Sequence, residues 1–283
     1  MLHPHGPADD GAKAVAFVYP HLSHQDRFIR YAARVALEHQ KPDLWTSKVL
    51  GESDAQALLE GTVALARQAD KSLQPKILSV LEKVDFKSLT EQQQLDYLRA
   101  LSLVFIRHGG TDMDPAKSDK VTREPDKEVA SRFAEKLDGF FPAASAKVNR
   151  ELSAMLVYLK SPKVIEKSLA LLDKAQTQEE QLFYAFNLRN VEGGWTLPQR
   201  EAYFKWLNRA QQNYTGGASF KIFLQNTRAA AIKTLGDNDK VTLAALLKPP
   251  IELAHSNPAA SLPPRKFVKS WTMDDLTPKL DKL

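Results

Sequence analysis

The chain has no cysteine in 283 residues. Disulfides, thiolate metal sites and cysteine nucleophiles are thereby excluded, and an intracellular and an exported home stay equally open. Long apolar runs are missing as well. The longest, such as "AMLVYL" at 154 to 159, falls far short of the roughly 20 residues that span a bilayer, so no membrane insertion is predicted. A large excess of one charge is also absent: Lys and Arg number 39 against 34 Asp and Glu, a net charge of +5. That describes a well-mixed surface with a mild basic surplus, and it counts against the concentrated basic stripe of a nucleic-acid binder. The opening "MLHPHGPADD" has no basic start followed by an apolar stretch, so no signal peptide is read there. The expectation is a chain that stays inside the cell, or a piece excised from a longer one.

Catalytic signatures are lacking too. There is no Gly-rich phosphate loop, no Gly-x-Ser-x-Gly elbow and no His-Glu-x-x-His, and no catalytic residue is nominated. Histidines invite a metal reading, because His3 and His5 flank a proline and His21 and His24 form a His-x-x-His. A zinc site needs three or four donors at fixed geometry, and neither pair is completed. His39, His108 and His255 are single and scattered. No metal ligand and no cofactor are assigned to this chain.

What is present is helical periodicity. In "DRFIRYAARVALEHQ", residues 26 to 40, Ile29, Ala32, Ala33, Ala36 and Leu37 fall at the spacing of one apolar helix face. Asp26 sits where an N-cap or first-turn acid belongs, and Pro42 closes the segment. The same reasoning predicts helices near 10 to 20, 26 to 39, 42 to 50, 54 to 69, 72 to 84, 90 to 108, 126 to 140, 145 to 160, 162 to 174, 177 to 191, 197 to 213, 218 to 235 and 238 to 247. Thr90 with Gln93 and Thr177 with Glu180 match the capping-box spacing. Glycines in "RHGG" at 107 to 110 and "VEGG" at 191 to 194 are placed to end helices in the left-handed conformation.

Strand signals are almost absent, so the fold class is all-α. Evenly spaced helices joined by short loops pair as antiparallel hairpins, and hairpins in series form an α-solenoid. The unit of about 35 to 45 residues lies in the HEAT and armadillo range. Self-similarity is poor, so the repeats are degenerate, and a compact irregular bundle is the rival. Two regions break the rhythm. Residues 109 to 128 are polar and contain two prolines, and read as a long loop or hinge; residues 248 to 270 hold five prolines and read as an extended strap. The predicted organisation is N-terminal repeats over 1 to 108, the hinge over 109 to 128, C-terminal repeats over 129 to 247, and a strap with a last short helix over 248 to 283.

Two groups of residues are candidates for binding. Arg27, Arg30, Arg34 and Glu38 share one polar face. They form either a solvated, ion-paired side or ladder between repeats, or a grip for a ligand such as phosphate. The second group, Arg189, Asn190 and Trp195, belongs to the densest aromatic region, 183 to 223. Aromatics beside basic residues can stack bases, but Tyr203, Trp206, Leu207 and Ala210 repeat at helix spacing, as do Phe183, Phe186 and Asn187. Core packing accounts for both runs.

Three stretches carry a resemblance: "DRFIRYAARVALEHQ", "TQEEQLFYAFNLRNVEGGWTLPQREAYFKWLNRAQQNYTGGASFKIFLQNTR" and "FVKSWTMDDL". Together they resemble the helical-repeat region of large multidomain proteins from planctomycetes and their relatives. In those proteins a sugar-dehydrogenase-like β-propeller lies upstream and a c-type cytochrome module follows. The resemblance implies a middle piece, periplasmic or exported with its parent, with haem c in an adjoining module rather than in this chain, which has no Cys-x-x-Cys-His. The expectation is a non-catalytic scaffold or spacer that positions modules or binds a protein or peptide. The alternatives are a free-standing binding adaptor and a HEAT-like DNA enzyme similar to alkylpurine glycosylases; the mixed charge counts against the latter.

Overall fold

The computed structural model describes residues 11–108 and 125–250, together with Lys269 and Thr272. Most of the hinge and strap predicted at 109 to 128 and 248 to 283, the last short helix, and His3, His5 and His255 lie outside these residues. Every element among the described residues is helical. In chain order the helices are α1 (Gly11–Val18), α2 (Arg27–Glu38), α3 (Thr46–Leu50), α4 (Ala55–Gln68), α5 (Gln74–Lys83), α6 (Glu91–His108), α7 (Lys127–Asp138), α8 (Ala146–Tyr158), α9 (Val164–Lys174), α10 (Gln178–Leu188), α11 (Leu197–Asn213), α12 (Phe220–Lys233), α13 (Asp237–Thr242) and α14 (Ala244–Leu247).

Short polar side chains start half of these helices by taking up backbone N–H groups that the first turn leaves unpaired. Asp26 accepts from Phe28 N at 2.7 Å and Asp54 from Ala57 N at 2.8 Å. Thr90 and Gln93 form a full capping box before α6: Gln93 N donates to Thr90 Oγ1 at 3.3 Å, and Gln93 Oε1 accepts from Thr90 N at 3.1 Å. The Thr177–Glu180 pair supplies only half of one. Glu180 N donates to Thr177 Oγ1 at 3.3 Å, while the Glu180 carboxylate accepts from Tyr184 Oη instead. A second full box, Thr196 with Gln199, opens α11.

Several predicted helices break where proline or a local side-chain bond intervenes. The segment at 10 to 20 runs as α1 followed by a 3-10 turn, Tyr19–Ser23, around Pro20. The segment at 42 to 50 becomes a 3-10 turn, Pro42–Leu44, and then α3, and the one at 238 to 247 divides at Leu243 into α13 and α14. Pro162 lies ahead of α9 rather than inside its first turn. Among the described residues a left-handed helix ending occurs at Lys160, φ 57°, while Gly109 and Gly110 of the predicted ending after α6 lie outside them. There Ser161 N reaches back to Leu156 O at 2.9 Å and Lys160 N to Val157 O at 3.1 Å, the paired bonds of a Schellman closure. Gly194 also has positive φ, +83°, but it lies in the loop before Trp195, well past the end of α10.

Packing follows a regular order. α2 lies against α4, α4 against α6, α6 against α8 and α8 against α10, while α5 lies against α6 and α9 against α8 and α10. Gly61 permits the close approach of α3 to α4, since a Cβ there would sit 2.7 Å from Val49 Cγ2. Polar side chains tie neighbouring helices through backbone acceptors. Buried Tyr97 donates to Leu81 O at 3.0 Å, and Lys136 on α7 donates to Glu82 O and Val84 O at the end of α5. A cation there also faces the negative end of the α5 dipole.

The helices on either side of 109–124 share one hydrophobic core. Phe105 on α6 lies edge-on to Phe133 on α7 at 6.1 Å and tilted against Tyr158 on α8 at 5.4 Å; Phe86 meets Phe140 at 5.0 Å. Offset aromatic contacts of this kind add to the burial of the rings themselves. Replacing Phe105 with alanine is expected to cost about 3–5 kcal/mol in urea unfolding. Circular dichroism and tryptophan fluorescence should shift together; two separated transitions would contradict a shared core.

Candidate docking surface

α2 turns a different arc inward from the apolar face that its spacing marks out. Its charged stripe faces α4, and much of its apolar arc faces solvent. The side chains of Arg30 and Arg34 are only 12% exposed and that of Glu38 only 6%. Arg30 donates to His24 O at 2.8 Å and Gln25 O at 3.0 Å, and its Nε lies 3.5 Å from Glu60 Oε1. Arg34 Nε lies 3.5 Å from Glu38 Oε1 and 3.7 Å from Glu60 Oε2, and Glu38 Oε2 accepts from Arg67 Nε at 2.8 Å. Of the two structural readings of the stripe, the wet face gives way to a ladder of ions between helices. The reason lies on α4, whose Glu60 and Arg67 supply the counter-charges that make this burial tolerable.

Burial raises the Glu60 carboxyl above the ordinary carboxylate range, Asp96 on α6 adds to the rise, and Arg34 and Arg30 oppose it. The ladder therefore balances desolvation against pairing. Arg27 differs from its two neighbours: it is exposed, with its guanidinium 4.7 Å over the Phe28 ring.

Only part of the predicted apolar face points inward. Ala33 and Leu37 are buried, whereas Ile29 and Ala32 are exposed and Ala36 is half-buried. Ile29, Ala32 and Ala36 line one side of an open groove of about 650 Å³, whose other side comes from Phe17, Val18 and His21. Two of its lining side chains are large, apolar and mostly in solvent, Phe17 at 66% and Tyr31 at 58% exposed, and Phe28, next to Ile29 in the chain, is 67% exposed. Single exposed apolar residues are ordinary on protein surfaces, but a contiguous patch of them marks an interaction surface. His21 lies edge-on to Phe17 at 5.8 Å, and the Arg34 guanidinium lies 5.1 Å from the Tyr31 ring centre. The sequence carried one available sign of this: between 28 and 37 only Arg30 and Arg34 interrupt the apolar residues, too wide an arc for one interface.

The second candidate group sits at the turn between α10 and α11, separated from α2 by the intervening helices of the row. Arg189 donates to Phe186 O at 2.6 Å with its guanidinium 3.4 Å over the Phe186 ring, and Trp195 Nε1 donates to Val191 O at 2.8 Å. Asn190 is exposed. Beneath them Arg200 is 2% exposed. It donates to the carbonyls of Glu192 and Thr234 and to Thr234 Oγ1 at 2.9–3.2 Å, and lies 4.2 Å from the Trp195 ring centre. Burial pulls its pKa down to about 10, which still leaves it charged at neutral pH. Arg200 thus anchors the loop of Trp195 to the end of α12.

The aromatic region behaves as a core in α11, where Tyr203, Trp206, Leu207 and Ala210 are buried. In α10 the inward residues are Tyr184, Ala185 and Leu188 rather than Phe183, Phe186 and Asn187. Phe186 instead stacks on Phe223 of α12 at 5.2 Å. Trp206 and Tyr214 both donate to Gln181 Oε1, binding α11 to α10. The rings of His21 and His24 are 6.3 Å apart, and Asp26 N donates to His24 Nδ1 at 3.0 Å. Among the described residues no group of three or more His, Asp or Glu side chains is placed to hold a metal ion, and no helix is long and apolar enough to cross a membrane.

No protein-family model matches this chain, and no curated protein or solved structure matches it either. The functional reading therefore rests on the surface itself. The ladder and the exposed arginine differ in what truncation does. Arg34→Ala is expected to lower stability by about 1–3 kcal/mol, because it strands partly buried Glu38 and Glu60. Arg27→Ala should stay within about 0.5 kcal/mol of the parent. Thermal melts of the two variants check the contrast, and an unchanged melt for Arg34→Ala would restore the ligand-grip reading of the stripe.

Proposed function

We propose that this chain is a non-catalytic scaffold, an α-solenoid of degenerate HEAT/armadillo-like antiparallel helix pairs, that holds a protein module or a peptide. The repeat reading is supported by the order of packing, in which α2, α4, α6, α8 and α10 each meet the next of the series. Such an order makes every unit depend on its neighbours and fixes the distance between the ends. The holding role is carried by one observation: the groove beside α2, where an amphipathic helix turns its charges inward and leaves Phe28, Ile29, Tyr31 and Ala32 outside. Uncovered apolar surface of this extent is unfavourable in water. A covering partner removes that cost.

The resemblance to the helical region between a dehydrogenase-like propeller and a cytochrome module supports a more specific setting. In that setting the chain is the spacer of an exported redox protein, and it keeps an electron donor and a haem c acceptor at a set separation. The native polypeptide from its source cells provides the test through its mass and visible spectrum. A mass well above 31.7 kDa with a haem c spectrum is the expected result. A haem-free species near 31.7 kDa would overturn the redox-spacer setting and make the chain a free-standing adaptor.

A further inference from the structure

His108 is the last residue of α6 and, at 6% exposure, the one buried imidazole among the described residues. Its Nδ1 and Nε2 are both shut off from water, and neither has a hydrogen-bond partner. Tyr97, buried two turns earlier on α6, is by contrast satisfied by Leu81 O. A neutral imidazole carries one donor and one acceptor, and leaving both unmet inside a protein is unfavourable. A buried ring orphaned on both nitrogens calls for an explanation.

Protonation makes the mismatch worse. An imidazolium has two donors and a full charge, and a charge buried without acceptors costs more than a neutral polar group. Among the described residues the charges acting on the ring come from its own helix and from the turn after α4, which packs against α6. Arg107 on α6 and Lys71 in the turn oppose the proton. Asp70 favours it, as does the backbone of Ala66 in the last turn of α4. The Asp70 carboxylate is already engaged as the cap of that turn, accepting from Ser72 N at 2.9 Å. The negative end of the α6 dipole also favours a cation. Burial outweighs these attractions and holds the His108 ring below the ordinary imidazole range.

We infer that the packed end of α6 accepts His108 only as the neutral ring, so that its protonation opens the contact between the ends of α6 and α4 and makes this link of the row an acid-sensitive switch. The direction follows from proton linkage. The opened state takes up a proton near the ordinary imidazole value of about 6.5, while the packed state resists it to lower pH. Stability from this contact is therefore fully present above about pH 6.5 and is lost as pH falls below it. The release is local, because one helix end is freed while the helices farther along the row keep their own core. The device goes beyond the scaffold reading, and no part of it depends on the groove beside α2.

Native-state amide exchange on the full chain tests this between about pH 7.5 and pH 5. Each rate is divided by the intrinsic rate at the same pH, which leaves the constant for local opening. At Phe105, Ile106 and Arg107 that constant is expected to rise up to tenfold for each pH unit below about 6.5, and Phe204 and Leu207 on α11 should not follow. His108→Leu removes the titrating group and leaves no polar atom orphaned; it should abolish the rise. The parent alone gives a second reading, since the His108 Cε1 proton followed by NMR should titrate with a midpoint below about 6.5. A flat opening constant in the parent would overturn the inference. So would an unchanged rise in His108→Leu, an equal rise on α11, or a midpoint at or above the ordinary imidazole value.

Discussion

No helix of the series α2, α4, α6, α8 and α10 can bury its inward stripe alone; each does so against the next. That dependence organises the rest of the molecule. Hydrophobic burial has no direction, so it cannot by itself set register between two helices. Register comes from the polar ties at their margins. Tyr97 to Leu81 O, Lys136 to the end of α5, Lys167 to Asp138 and Trp206 to Gln181 each fix one helix against another. Lys136 takes up the Glu82 carbonyl in the last turn of α5, where the carbonyls have no partner within the helix.

The same dependence explains why α2 is unusual. On its α4 side the contact is made by ions as well as by Ala33 and Leu37, with Glu60 drawn between Arg30 and Arg34. Among the described residues its other side meets α1 and the turn after it, and the groove opens between them. A helix that spends its charges on an internal contact has little polar surface left to show to water. The exposed rings of Phe28 and Tyr31 follow from that allocation, and their guanidinium neighbours Arg27 and Arg34 soften it through cation–π contacts.

Much of the architecture was legible because it is local. Helix positions follow from apolar spacing and from caps such as Asp26, Asp54 and Thr90, and all of these act within a few residues. What stayed hidden depends on partners distant along the chain. Nothing within 26 to 40 shows that Glu60 and Arg67 will meet the arginine stripe, so the spacing points the apolar arc inward and leaves the stripe either wet or paired between repeats. The inward side of α10 differs from the one its spacing predicts for the same reason: Phe186 is claimed by Phe223, from a helix two further on. The helix ending at Lys160 shows a third limit. There a lysine adopts the conformation usually left to glycine, because the bonds from Lys160 N and Ser161 N to the last turn of α8 hold it.

The central claim is that the helices before and after 109–124 form one body through the shared aromatic core. The absence of cysteine makes a direct test straightforward. Ser79→Cys on α5 and Ala170→Cys on α9 introduce two exposed thiols, and nitroxides attached there report the distance between the two halves by pulsed electron resonance. A single narrow distance distribution is the result this account predicts. A broad or multiple distribution, with both helices still folded, would contradict it.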